Sequence, residues 1–283
     1  MKIKTLIAGF LAVVVLAGCG NTSSVNSNNG EIITTVKLGV VGTVYEELWA
    51  PAEEALAKEN IKLEFIQFSD YVTPNNALAS GEIDLNAFQH KIYLDTEIEN
   101  YGYEIEVVGN TFIIPLNLYS KKISSVEEIA DGSIIAIPND LTNGGRALKV
   151  LEGAGLIVLS ESSNFSPTVD DIERFNVDIE IIELSANTIP ASLEDVTAAI
   201  INGNFALDFG LKTDEAIFKD ISLEEENYWC LVAARSSDLE DEEKVQIYKK
   251  IVEAYQKDET EDLFNNEFGG YFIKAGWNID YLN

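Results

Sequence analysis

Across 283 residues the chain carries 48 aspartates and glutamates against 19 lysines and arginines, a formal charge of −29, with one histidine and two cysteines. A surface of that sign repels nucleic acid and anionic headgroups, so neither is expected as a partner. One of the two cysteines lies in the leading segment, which excludes a disulfide framework in the body of the chain.

Lys2 and Lys4 precede an apolar stretch from Leu6 to Leu16 that runs into Leu16-Ala17-Gly18-Cys19. The stretch is about half the roughly 20 residues a spanning helix needs and ends in small residues, so residues 1–18 are expected to be a cleaved secretory signal. Leu-Ala-Gly-Cys resembles a bacterial lipobox, which makes Cys19 the expected lipidated N-terminus and the lipid the only expected contact with a membrane. Processing there would leave 265 residues with a charge of −31, more chain than one compact core usually holds, so two lobes are expected. Gly20 to Gly30 is polar without an apolar period, and residues 19–35 read as a flexible tether.

Beyond the tether, short β-branched runs alternate with helical patterns. Strands are predicted at Val36–Gly42, Ile61–Phe68, Ile83–Leu85, Ile105–Val108, Phe112–Tyr119, Ile134–Ile137, Ile179–Leu184, Ala198–Ile201 and Tyr228–Ala234. A helix is predicted over Glu46–Lys58, with Pro51 in its first turn or kinking it, and a short one over Pro74–Ser80 stopped by Gly81. Val245, Tyr248, Val252 and Tyr255 recur at helical spacing and need a surface to cover. This alternation predicts an α/β protein of mostly parallel sheets flanked by helices, with ligands at the carboxyl ends of strands. Boundaries are expected near Leu118–Lys122 and near Asn227, giving 36–118 and 229–283 as one lobe and 119–228 as the other.

His90 is the only histidine, and no nucleophile motif, metal-ligand spacing or twelve-residue calcium loop accompanies it, so neither a catalytic centre nor a metal or cofactor site is expected. The acidic run at Asp238 and Glu240 to Glu243 precedes a helix, where acid matches the helix dipole. Arg146 is one of three arginines and lies in PNDLTNGGRAL, where Asn143, Gly144 and Gly145 lead into a helix predicted to begin near it. A guanidinium at a helix start suits a small carboxylate; the alternative is an arginine paired with one of the 48 acids. Tyr71, Phe88, His90 and Tyr93 cluster near predicted strand ends, where their rings can clamp an apolar or thioether side chain or simply pack a core.

The blocks FSDYVTPNNALASGEIDLNAFQHKIYLD, VGNTFIIPLNLYSKKI, IAIPNDLTNGGRALKVLEGAGLI and DVTAAIINGNFALDFGL resemble the methionine-binding lipoprotein family of ABC importers over nearly the whole body. The resemblance implies a two-lobed, type II periplasmic-binding fold. It implies capture of methionine and delivery to a permease driven by its ATPase. By position it assigns Tyr71, Phe88, His90 and Tyr93 to a cage around the ligand side chain, Arg146 to the ligand carboxylate, with Asn143 in the same block, and Asn204 to the head group. Cys230 stands where the family is expected to carry a ligand-contacting asparagine, and a thiol is a weak substitute for an amide. A related amino acid or a methionine-containing dipeptide is therefore the nearest alternative ligand; a hydrolase using His90 or a surface adhesin are the alternatives of another class.

Overall fold

The computed structural model describes residues 26–28, 31–161 and 165–283; the predicted signal and Cys19 lie outside the described residues. β1 (Asn26–Asn28) pairs antiparallel with β2 (Glu31–Val41), so the strand predicted from Val36 starts five residues earlier. Thr34 and Thr35 already pair with Ile61 and Lys62 of β3 (Ile61–Phe68), in a parallel register that runs to Val41↔Phe68. Between these strands, α1 (Val44–Ala57) buries Tyr45, Leu48, Trp49, Ala52 and Leu56 against the sheet, and Pro51 stands in its interior rather than in its first turn. α2 (Pro74–Ser80) ends on left-handed Gly81, as its sequence predicts.

The remaining strands of this sheet come from distant parts of the chain. β4 (Leu85–Asn86) lies parallel to β2; α3 (Lys91–Tyr101) follows it, and then β5 (Ile105–Asn110). The single strand predicted over Phe112–Tyr119 is two, β6 (Phe112–Ile113) and β7 (Leu116–Tyr119), because Pro115 interrupts it without a ladder donor. β7 belongs wholly to a second sheet.

The second sheet runs β11-β8-β12-β7 and comprises β8 (Ile134–Pro138), β11 (Glu180–Leu184) and β12 (Ala198–Asn202) in addition to β7. Its core is covered by α4 (Leu141–Gly153), and a small antiparallel pair, β9 (Ile157–Leu159) with β10 (Ile172–Phe175), extends that lobe. α5 (Gly203–Asp208) follows β12 directly. The chain returns through Trp229, whose carbonyl accepts from Lys91 N–H, into β13 (Leu231–Arg235), which sits between β4 and β5.

β13 runs antiparallel to both neighbours, so the first sheet is mixed, whereas the second is parallel except for β7, which runs antiparallel to β12. A strand entering from the other lobe lacks the helical crossover that enforces parallel order. α6 (Glu242–Tyr255) and α7 (Asp258–Asn266) close the first lobe: Tyr248, Ile251, Val252 and Tyr255 are buried on the core that holds Trp49 and Leu56. Asp241 caps α6 by accepting from Glu243 N–H, and Asp238 takes Arg235 and Lys244, so the acidic run serves the helix start. β14 (Ile273–Lys274) pairs with β6 near the crossing. A separate apolar cluster joins Val41, Phe88 and Tyr93 of the first lobe to Tyr119, Ile201 and Phe205 of the second, so the two lobes are pressed together.

Candidate functional site

A cavity lies where the lobes meet the crossing segment Ile114–Leu116. All eight residues singled out in the sequence line it: Tyr71, Phe88, His90, Tyr93 and Cys230 from the first lobe, Asn143, Arg146 and Asn204 from the second. Tyr45, Gln89, Asn202 and Gly203 complete its walls. The free space among them is about 30 Å³, room for one or two waters and not for an amino acid, so a ligand needs the lobes to separate first.

The second-lobe wall is built on the start of α4. The helix begins at Leu141 and not near Arg146, because Asp140 caps it by accepting from the Asn143 N–H at 2.9 Å. Gly144 and Gly145 lie inside its first turns for reasons of space: a Cβ would stand 2.8 Å from the Pro138 carbonyl oxygen at one and 2.7 Å from Ser166 Cα at the other. This close seating brings Arg146 to the cavity although it is only 2% exposed. Its Nη2 donates to Asp220 Oδ2 at 2.5 Å and to the Ile114 carbonyl at 3.0 Å, its Nε to Ser222 Oγ at 3.1 Å, and its Cζ lies 4.5 Å from the Tyr228 ring centroid. Arg146 is thus paired with an acid and also lines the cavity; Nη1 has no hydrogen-bond partner among the described residues.

The first-lobe wall is held by buried amides. Asn75, Asn86 and Gln89 bond to one another at 2.7–3.0 Å and fix the segment carrying Phe88 and His90. Rings of Tyr71, Phe88 and Tyr93 form a triangle with centroid separations of 6.0, 6.2 and 6.2 Å, and Phe205 adds a fourth ring 5.0 Å from Tyr71. His90 caps α3, with Nδ1 accepting from Tyr93 N–H, so the ring proton sits on Nε2 facing Asn143 Oδ1 at 3.3 Å. Burial, and then the positive charge of Arg146, lower its pKa to about 3, so it is neutral at physiological pH. It lacks a nucleophile or carboxylate partner among the described residues and acts here as a wall and a cap.

The amide positions sort into working and spent groups. Asn204 uses both ends of its amide, accepting from Tyr71 O–H at 2.5 Å and donating to the Val41 carbonyl at 3.2 Å, so it ties one lobe to the other. Asn143 donates to Asp140 and accepts from Asn202 Nδ2 at 2.9 Å. Asn202 is different: it is 9% exposed, lines the cavity, and its Oδ1 accepts from no group among the described residues. An orphaned buried acceptor of that kind costs about 1–3 kcal/mol unless a ligand or water supplies the donor. Both asparagines stand in the block INGNFAL, and position by resemblance alone picks the second; only the hydrogen-bond inventory distinguishes them. Cys230 lines the same space while its backbone is tied by its N–H to the Phe112 carbonyl and by its own carbonyl to Thr111 N–H. Burial pushes its thiol up to about 12 against the opposing pull of Arg146, so it stays protonated and offers no anionic sulfur.

Residues 36–276 match the family model described as NlpA lipoprotein. A D-methionine-binding lipoprotein MetQ of Yersinia pestis is 38% identical over 98% of this chain and 99% of its own length. A probable D-methionine-binding lipoprotein MetQ of Vibrio cholerae is 41% identical, with 98% of each chain covered. Among solved structures, that of the methionine-binding protein MetQ superposes with a TM-score of 0.80 at 40% identity, covering 86% of this chain and 98% of that one. A nutrient-binding protein from Burkholderia cenocepacia, solved bound to methionine, gives a TM-score of 0.79 at 36% identity, covering 85% of this chain and all of that one. With a family model spanning most of its length and relatives of this identity aligned almost end to end, the chain belongs to the NlpA lipoprotein family.

Proposed function

We propose that this chain is the lipid-anchored, extracytoplasmic substrate-binding component of an ABC importer, and that methionine is the ligand held between its lobes. The observation that carries the reading is the pairing, in one enclosed cavity beside an aromatic cage, of an arginine that uses only Nε and Nη2 and an asparagine whose Oδ1 has no partner among the described residues. In this reading Arg146 Nη1 takes the ligand carboxylate, Asn202 Oδ1 accepts from its ammonium, and Tyr71, Phe88 and Tyr93 enclose the thioether. Sulfur–ring contacts supply about 0.3–1.5 kcal/mol each, which suits a side chain with one soft atom and no hydrogen-bonding group. The relatives named for methionine binding, and the neighbour solved with methionine, support the same ligand.

Residues up to Ile113 and from Trp229 form one lobe of this proposal and residues 116–228 the other, hinged at the two crossings. Cys19 would carry the lipid, and the permease and its ATPase would receive the closed protein. The lobes close through Tyr71 with Asn204 and through Thr43, whose Oγ1 donates to Asp208 Oδ1 at 2.7 Å.

One observation favours a related amino acid or a methionine-containing dipeptide as the second reading: a protonated thiol, Cys230, occupies a corner where an amide would hold the head group. Titrating wild type and Cys230→Asn against methionine, related amino acids and methionyl dipeptides separates the two. If methionine is the ligand, the added amide strengthens its binding by up to roughly 100-fold. If the corner is shaped for another ligand, the same change weakens that ligand, and no response to methionine in either protein would refute the assignment.

A further inference from the structure

We infer that Asp220 is a specificity-determining residue of this cavity: by offsetting the charge of Arg146 it makes the site select a net-neutral zwitterion over a monoanion that carries the same carboxylate and side chain. The inference rests on the reading that Arg146 holds the ligand carboxylate.

Asp220 lies in the loop before the return crossing and its side chain is fully buried. Four donors surround the carboxylate. Arg146 Nη2 and Leu116 N–H reach Oδ2 at 2.5 and 2.9 Å, and the N–H and hydroxyl of Ser222 reach Oδ1 at 2.8 and 2.6 Å. Its backbone N–H donates to Asn117 Oδ1 at 2.9 Å, so the group is fixed from both ends. Of the four groups that donate to the carboxylate oxygens, only Arg146 brings a charge.

The consequence is a charge count. Arg146 and Asp220 together are neutral. His90, with its pKa lowered to about 3, and Cys230, with its thiol pushed up to about 12, are uncharged at neutral pH. Asp140, half-buried and hydrogen-bonded to Asn143, can only add negative charge. A ligand with both carboxylate and ammonium therefore enters a site with no surplus positive charge, where Asp220 attracts its ammonium and repels its carboxylate. A monoanion meets the repulsion without the attraction. Because the carboxylate is common to both ligands, the ratio of their affinities isolates the interaction of Asp220 with the ammonium, and any loss of Arg146 positioning cancels.

The test compares methionine with its α-hydroxy analogue, a near-isosteric monoanion, by calorimetry on wild type and Asp220→Asn. The preference for methionine should fall by about tenfold in the variant, which is what one charge pair roughly 10 Å apart contributes at an effective dielectric of about 20. If both ligands weaken by the same factor and the ratio stays within about twofold of wild type, Asp220 only holds Arg146 in place and the inference is overturned. Should Asp220→Asn not fold, Arg146→Met/Asp220→Leu removes both charges, a replacement that buried ion pairs tolerate. That variant leaves the site neutral as in wild type, so its ratio, read by NMR titration at millimolar ligand, should stay within about twofold of wild type, and a fall of about tenfold would overturn the inference. Arg146→Met alone separates the two failures: if it binds methionine as wild type does, the carboxylate reading itself is wrong, whatever Asp220 does.

Discussion

Replacing Arg146 by lysine keeps one positive charge and removes the planar fork. In the folded protein the guanidinium makes charged hydrogen bonds to Asp220, to the Ile114 carbonyl and to Ser222 Oγ, and stacks on Tyr228. A lysine ammonium is a single point donor and can keep the Asp220 contact with one of the other two, so one charged hydrogen bond is lost from the fold, about 1.5–3 kcal/mol. The ligand loses the group now carried by Nη1, which the ammonium cannot supply while it faces Asp220. That loss is again about 1.5–3 kcal/mol, or roughly 10- to 150-fold in affinity. Urea denaturation should report the first change and isothermal calorimetry with methionine the second. The fold should persist, because Asp220 retains its Leu116 and Ser222 donors. A variant that shows the stability loss but binds methionine with wild-type affinity would refute the placement of the carboxylate on Arg146.

Two further outcomes follow from the cavity. Asn202→Leu removes the unpartnered acceptor and one hydrogen bond to Asn143, so methionine binding should weaken by roughly tenfold or more in calorimetry while the melting temperature changes little; an unchanged affinity would return the ammonium to another group. The His90 pKa falls from the ordinary 6.5 to about 3 on folding, so between those values the unfolded chain binds a proton that the folded chain refuses, and stability should rise with pH across that window. His90→Asn keeps a cap acceptor for Tyr93 N–H and should flatten this dependence in urea melts at pH 4 and 7; an equally steep dependence would assign it to other groups.

The parts of this molecule that can be read from sequence are those fixed by local pattern. The β/α alternation, the covering face of α6 and the glycine stop of α2 rest on periodicity and turn chemistry, and Tyr71, Phe88, His90 and Tyr93 all line the cavity. Arg146 was legible because arginine is scarce in this chain. What escaped depends on partners far away in sequence. Asp220 is one acid among 48 until Arg146, 74 residues distant, is seen against it. Asn202 differs from Asn204 only in which amide atoms are already bonded. Gly144 and Gly145 resemble a turn on composition, whereas the approach of Pro138 and Ser166 makes them helical residues with no room for a side chain. Reading Phe112–Tyr119 as one strand failed at Pro115, which separates β6 from β7.

Native mass spectrometry of the freshly purified protein, expressed without residues 1–19, tests the central claim most directly, because a closed cavity retains its ligand through gentle purification. The account predicts an adduct of the mass of one methionine per chain, lost on partial unfolding and restored by adding methionine, and lost from Arg146→Lys. An adduct of a different mass that methionine cannot displace, or a ligand-free protein that takes up no methionine at millimolar concentration, would contradict it.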